Sequence, residues 1–212
     1  MINARSNFFV LFLSLIVLSA CSSRPTQQQV VTNVANALVE QHQQRIIHIS
    51  NWHIRGRIAF FNLLENDRNA ATLSWTKGLD ESFLRLSHPL RGTLAQLEQT
   101  PLAASLTDSK GEQHYAPSID QLLYWQLGLT LPFSLVENAM TGKIPEQLGS
   151  QFGFYADGTL AEYQIDQQWH ISLSRYQAVN TATGMLQLPH ELEVTHANYK
   201  IRLQINEWSR VE

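Results

Sequence analysis

From Trp52 to the C-terminus, apolar residues recur at every second position, and that period limits what the chain can build. Ile54, Gly56, Ile58 and Phe60 alternate with His53, Arg55, Arg57 and Ala59. Leu73 and Trp75 alternate with Thr72, Ser74 and Thr76; Leu84 and Leu86 alternate with Arg85 and Ser87. Successive strand side chains point to opposite faces, so this pattern makes strands buried on one face only. One-sided strands belong to antiparallel sheets, since parallel sheets are covered on both faces. Residues 94–99 and 103–107 read as another pair, and Asp108-Ser109-Lys110-Gly111 as a hairpin turn with glycine free to take positive φ. The period returns at Phe152 and Phe154, at Tyr163 and Ile165 beyond the turn Asp157-Gly158, and at Trp169, Ile171 and Leu173. Leu192 and Val194, then Tyr199, Ile201, Leu203 and Ile205, complete it.

Helical spacing precedes the strands and then interrupts them once, in mid-chain. Residues 26–47 read as an amphipathic helix with Val30, Val34, Ala37, Leu38, Gln41 and Arg45 on one side. In mid-chain, Ser118 is placed to cap a helix carrying Ile119, Leu122, Leu123 and Leu127 on one face. Pro132 breaks it, and Ser134 is placed to cap a second helix over residues 135–141, ended by Gly142. Short strands with helices in a block between them predict a mainly β, α+β fold: an open antiparallel barrel closed by helices.

The N-terminus addresses the chain. Arg5 precedes the apolar run Phe8, Phe9, Val10, Leu11, Phe12, Leu13, Leu15, Ile16, Val17 and Leu18, broken only by Ser14. Ser19 and Ala20 are small, as a signal peptidase requires, and the run is short for a membrane span. Cys21 follows and is the sole cysteine, so no intramolecular disulfide is available. Leu18-Ser19-Ala20-Cys21 resembles a bacterial lipobox, in which the thiol is acylated and becomes the first mature residue. The expectation is a signal peptide at 1–20, a lipidated tether at 21–29 and one domain over 30–212. Covalent N-acyl and S-diacylglycerol groups are expected on Cys21, with no other cofactor. Ser22, rather than Asp, follows the cysteine, which favours the outer membrane of a Gram-negative cell, facing the periplasm.

Composition excludes several classes. Removing residues 1–20 takes away Arg5 and no acid, so the formal charge goes from -3 to -4. With no basic run, nucleic acid is an unsuitable partner. Gly149-Ser150-Gln151-Phe152-Gly153 fails the spacing of a nucleophile elbow. Gly142-Lys143 lacks the glycine and hydroxyl of a phosphate loop, with Glu137 and Ile144 at those positions. His42, His48 and His53 are the densest histidines, but exposed or hydrogen-bonded histidines are the better reading than a metal site. Asp80-Glu81, Glu65 and Asp67 read as solvated loop charges. No catalytic residue and no metal ligand is assigned, and an enzyme is not expected.

One turn stands out. The strand ending at Ser87 runs into His88-Pro89-Leu90-Arg91-Gly92-Thr93. Pro and Gly mark a turn, and turn tips are usually polar. Leu90 is therefore either folded back as a plug in the open end of the sheet or held out as an apolar hook, with Pro89 and Arg91 beside it.

Several segments together resemble the outer-membrane lipoprotein LolB family. They are the lipobox, Gly56-Arg57-Ile58-Ala59-Phe60, Leu84-Arg85-Leu86-Ser87-His88-Pro89-Leu90, Asp108-Ser109-Lys110-Gly111 and Leu131-Pro132-Phe133, in family order and spacing. The resemblance implies an incomplete antiparallel barrel of about eleven strands, with helices as a lid over an apolar cavity. It implies that the protein receives acylated lipoproteins from a LolA-type periplasmic carrier and inserts them into the outer membrane. No nucleotide is hydrolysed, and the protein is expected to be a monomer. It also implies that Leu90, in the protruding loop, serves the insertion step. Arg91 stands where the family pattern has glycine, and Ala139 where it has tryptophan. Candidate cavity residues are Ile54, Ile58, Phe60, Leu73, Trp75, Leu84, Leu86, Trp169, Ile171, Leu173, Ile201 and Leu203. Periodicity leaves open whether each faces a cavity or a packed core. A structural or assembly lipoprotein with a filled core is the alternative.

Overall fold

The computed structural model describes residues 29–31, 34–145, 151–165 and 168–212. The expected signal peptide, Cys21 and all but the last residue of the tether lie outside these residues. The chain runs through β1 (Val30–Val31), α1 (Asn36–Ile46), β2 (Trp52–Asn62), β3 (Asp67–Lys77), β4 (Ser82–His88) and β5 (Gly92–Gln99). It continues through β6 (Ala104–Asp108), β7 (Gln113–Ala116), α2 (Ile119–Leu127) and α3 (Phe133–Ala139). Then follow β8 (Phe152–Tyr155), β9 (Leu160–Ile165), β10 (Trp169–Ser174), β11 (Gln177–Thr181), β12 (Gly184–Leu188), β13 (Glu191–Thr195) and β14 (Tyr199–Ser209).

Twelve strands form one antiparallel sheet in the order β1-β8-β9-β10-β13-β14-β2-β3-β4-β5-β6-β7, and β11–β12 stands apart as a hairpin. Setting aside the two-residue β1, the sheet has the eleven strands expected. Its edges, β1 and β7, are not paired with each other, so the barrel stays incomplete. Two meanders meet along a single seam, where β14 pairs with β2 from Tyr199↔Asn62 to Ser209↔His53. Gly56 sits in that seam opposite Ile205, beside a bulge between Ile205 and Glu207. A Cβ at Gly56 would collide with the Gln204 carbonyl oxygen. Glycine is what permits this close backbone approach.

The first helix departs from expectation in both its start and its buried face. The first begins at Asn36, and Val30 and Val31 instead pair with Tyr155 and Phe154 as an edge strand. Two β-branched residues beside an open edge favour pairing over the weak helical spacing. The buried face of α1 is His42 and Ile46, while Leu38 is exposed, so the predicted stripe was out of phase. The reason is the β11–β12 hairpin, which the sequence did not announce. It lies against α1: His42 Nε2 reaches the Gln187 carbonyl at 3.2 Å, and Arg45 reaches that of Met185.

In mid-chain, Ser118 caps α2 as expected, accepting from the Gln121 N–H at 3.3 Å, and Gly128 at φ +65° ends the helix. Leu127 is exposed, contrary to expectation, because α2 stops there and only Ile119, Leu122 and Leu123 face the sheet. The second helix starts at Phe133, and Ser134 does not cap it. Asp120 of α2 does so, accepting from the Phe133 N–H at 2.9 Å. The lid is fastened to the sheet by Gln99 Oε1, which accepts from the Ile119 N–H, and by the ion pair Lys77–Glu137 at 3.3 Å.

Two predictions follow from the seam and from α1. Gly56→Ala should destabilise the fold by about 1–3 kcal/mol through overpacking, read as a lower urea midpoint. Burial is the main cause holding the His42 and His190 pKa values below the usual 6.5. The unfolded chain takes up these protons first as pH falls, so stability is present above pH 6.5 and is lost below it. The urea midpoint should drop between pH 7 and pH 5, and His42→Gln with His190→Gln should flatten that drop.

Candidate lipid-handling site

The inner face of the sheet is apolar along its whole length but unevenly packed. At the end where β2 begins, Trp52 meets Trp75 and Trp208 edge-on at 5.2 and 5.8 Å, and Phe133 of α3 lies 5.0 Å from Trp75. Two of the indole N–H groups are satisfied inside: Trp75 donates to Ser82 Oγ at 2.8 Å and Trp208 to the Pro189 carbonyl at 3.0 Å. This end is a solid aromatic plug.

Toward the other end, where β2 and β4 finish and β14 starts, the packing loosens. Ile58, Phe60, Leu86 and Tyr199 are half-buried. Phe60, Tyr199, His196 and Trp169 form a run of rings across this end, at successive spacings of 5.7, 5.8 and 4.5 Å. Antiparallel order puts the β4–β5 turn at this same end. Leu90 at its tip is 91 % exposed. Its N–H donates to His88 Nδ1 at 3.2 Å, and Gly92 takes φ +73°. The leucine is therefore held out, not folded back as a plug.

The twelve residues named as cavity candidates fall into two groups. Ile54, Leu73, Trp75, Leu84, Trp169, Ile171, Leu173, Ile201 and Leu203 are buried in one continuous cluster with residues of α2 and α3. Ile58, Phe60 and Leu86 pack against that cluster but remain partly accessible. Sequence periodicity saw one face; the depth along it depends on where the helices cover the sheet.

His42, His48 and His53 are not gathered into a metal cluster among the described residues. His42 is engaged by Gln187, and His53 Nδ1 lies 2.8 Å from Thr76 Oγ1. Asp108, Glu112 and His114 do come together at the β6–β7 turn. There Asp108 Oδ1 accepts from the Lys110 and Glu112 N–H groups and serves the turn.

With this geometry in place, comparison with known proteins is decisive. The family model described as Outer membrane lipoprotein LolB matches residues 50–208. The chain belongs to the LolB family. An outer-membrane lipoprotein LolB of Vibrio campbellii is 28% identical over 208 residues, covering 96% of this chain and 97% of that one. One of Erwinia tasmaniensis is 25% identical over 212 residues, covering 93% of each. The localisation of this LolB family member is accordingly the outer membrane, as a lipoprotein. A crystal structure of a LolA superfamily protein from Nitrosomonas europaea shares the fold, with TM-score 0.53 and 7% identity over 85% of this chain and 95% of that one. The expected incomplete barrel with a helical lid therefore stands.

The graded packing gives its own test. Trp75→Ala should cost about 3–5 kcal/mol, as for a buried core aromatic. Phe60→Ala should cost clearly less, because its ring is only half-buried. Equal losses in urea unfolding would make both residues ordinary core.

Proposed function

We propose that this protein receives acylated lipoproteins from a LolA-type periplasmic carrier and inserts them into the outer membrane. Family membership supports the reading, and one observation carries it: the exposed Leu90 tip and the half-buried row Ile58, Phe60 and Leu86 lie at the same end of the sheet. An acyl chain leaving that row emerges beside the hook. Cys21 is the acylation site in this reading and holds the body at the membrane from the periplasmic side.

The energetics set the task. Each acyl CH₂ in water costs ~0.8 kcal/mol, so one long chain costs roughly 12 kcal/mol. Transfer without nucleotide must run downhill, with binding tighter than the donor's and weaker than the bilayer's. An apolar sheet face is non-directional and accepts any acyl chain. Entry requires the lid or the loose end to give way, since the inner face is packed against α2 and α3. That close packing also supports the second reading, a structural lipoprotein with a filled core. Uptake of an apolar fluorescent probe separates the two, because a filled core takes up none.

Insertion then depends on Leu90. Burying one leucine contributes about 1.5–3 kcal/mol, enough to change a rate tenfold or more. Leu90→Glu should leave folding and acceptance of cargo from the carrier intact and stall the cargo before the membrane. The measurement mixes a Cys21→Ala form with carrier-bound lipoprotein and vesicles, then follows the cargo. Loss of acceptance in the Leu90 variant would make the residue a docking element rather than a hook.

A further inference from the structure

The β2–β3 hairpin carries a second apolar tip at the Leu90 end of the sheet. Its turn contains Leu63 and Leu64, 47 and 73 % exposed. The turn is well held. Asn62 Oδ1 accepts from the Leu64 and Glu65 N–H groups at 3.1 and 3.2 Å, and the Leu63 N–H donates to the Asn198 carbonyl at 2.9 Å. Its two carboxylates are occupied locally: Glu65 accepts from Asn62 Nδ2 and Asp67 from Asn69 Nδ2. The last β3–β4 pair is Thr72↔Ser87, whereas β2–β3 pairing continues to Asn62↔Asp67. Those five further residues leave about 17 Å of the β3 edge uncovered by β4, while β2 stays paired with β14 as far as Tyr199↔Asn62.

Beside this uncovered edge, on the outer face, lies a cleft of about 380 Å³. Arg57, Arg68 and Arg202 surround it, Ala59 and Ala70 leave room in its floor, and His88 and Pro89 of the Leu90 turn close one side. Arg202 is committed to Glu193 at 2.7 Å. Among the described residues, neither Arg57 nor Arg68 forms an ion pair. The guanidinium of Arg68 rests over the Phe61 ring, 5.4 Å from its centroid. The chain as a whole is acidic, so this local positive charge does not reflect a basic protein.

We propose that Leu63 and Leu64 form a second lipid-contacting point beside Leu90, and that Arg57 and Arg68 take phospholipid phosphates in the cleft behind the two tips. This rests on the insertion reading above and deepens it: the sheet docks end-on against the phospholipid surface at two points. Apolar tips flanking guanidinium groups match a bilayer surface, where phosphates lie just above hydrocarbon. Two points fix an orientation that one leucine cannot, and they aim the loose end of the apolar face at the bilayer.

The test is partition of the Cys21→Ala chain into vesicles of phosphatidylethanolamine and phosphatidylglycerol. Leu63→Ser with Leu64→Ser should lower the partition coefficient about tenfold or more, with the melting temperature unchanged because both side chains are exposed. Arg57→Ala with Arg68→Ala should lower it severalfold at low salt and flatten its salt dependence. Unchanged partition in the leucine pair, with Leu90→Glu still defective, would overturn the second contact and leave the hook standing. If Leu90→Glu inserts cargo normally, the insertion reading itself fails. Displacement of the chain from vesicles by inorganic phosphate at constant ionic strength would make the cleft a free-anion site and overturn the lipid assignment. So would loss of cargo acceptance from the carrier with vesicle binding intact, which would make this end a protein-docking face.

Discussion

The pairing of the last strand with the first long one holds the molecule together. Without the β14–β2 seam there are two separate meanders, β2–β7 and β8–β10 with β13 and β14, each with an open edge. The seam joins residues about 150 positions apart in the chain, so it forms against a large loop entropy and is a slow element by topology. Gly56 lets the two backbones approach at the seam's midpoint, and the adjacent bulge increases the local twist. That twist helps turn a twelve-stranded sheet into a half barrel with an inside.

Having an inside, the sheet treats its two ends differently. The end against α3 is filled by Trp52, Trp75, Trp208 and Phe133, with the Trp75 and Trp208 indole N–H groups satisfied. Such packing supplies stability that a chain with one cysteine cannot draw from disulfides. The end carrying Leu90 keeps Ile58, Phe60, Leu86 and Tyr199 half-buried. Full burial of an exposed large side chain contributes about 1.5–3 kcal/mol, so half-burial leaves roughly half of that gain unrealised at each residue. An apolar ligand arriving at this end can supply the missing contacts.

Much of this was legible in the sequence. The period of two located nearly every strand of the sheet, and Pro89 and Gly92 marked the turn that carries Leu90. What escaped was decided by contacts between distant segments. Val30 and Val31 follow helical spacing locally, yet an open edge at Phe154 and Tyr155 recruits them. The cap of α3 comes from Asp120, thirteen residues away, which no local motif encodes. The β11–β12 hairpin lacks clean alternation: Gln177, Ala178 and Met185 face out while Val179, Leu186 and Leu188 are buried against the body. Leu63 and Leu64 were hidden for a simpler reason. Glu65 and Asp67 give the segment the composition of a solvated turn, while its informative signal is the two adjacent leucines inside it. Whether an inward residue is plug or mouth depends on the helices' position, which periodicity along a strand does not contain.

The weakness of the tip contacts is itself consistent with the proposed task. A protein tethered to the membrane by lipid has a high local concentration of bilayer, so a contact of a few kcal/mol is enough to populate the docked orientation. A much stronger contact would hold the loose end against the bilayer continuously and obstruct a soluble carrier that must also reach it. Arg91 suits this proposed balance. In the proposed contact its charge stays with the phosphates while Leu90 enters the hydrocarbon, limiting the depth of the hook. On the proposed reading, alternation between carrier and membrane requires only that each contact be reversible, and single leucines on well-ordered turns meet that requirement at little cost to the fold.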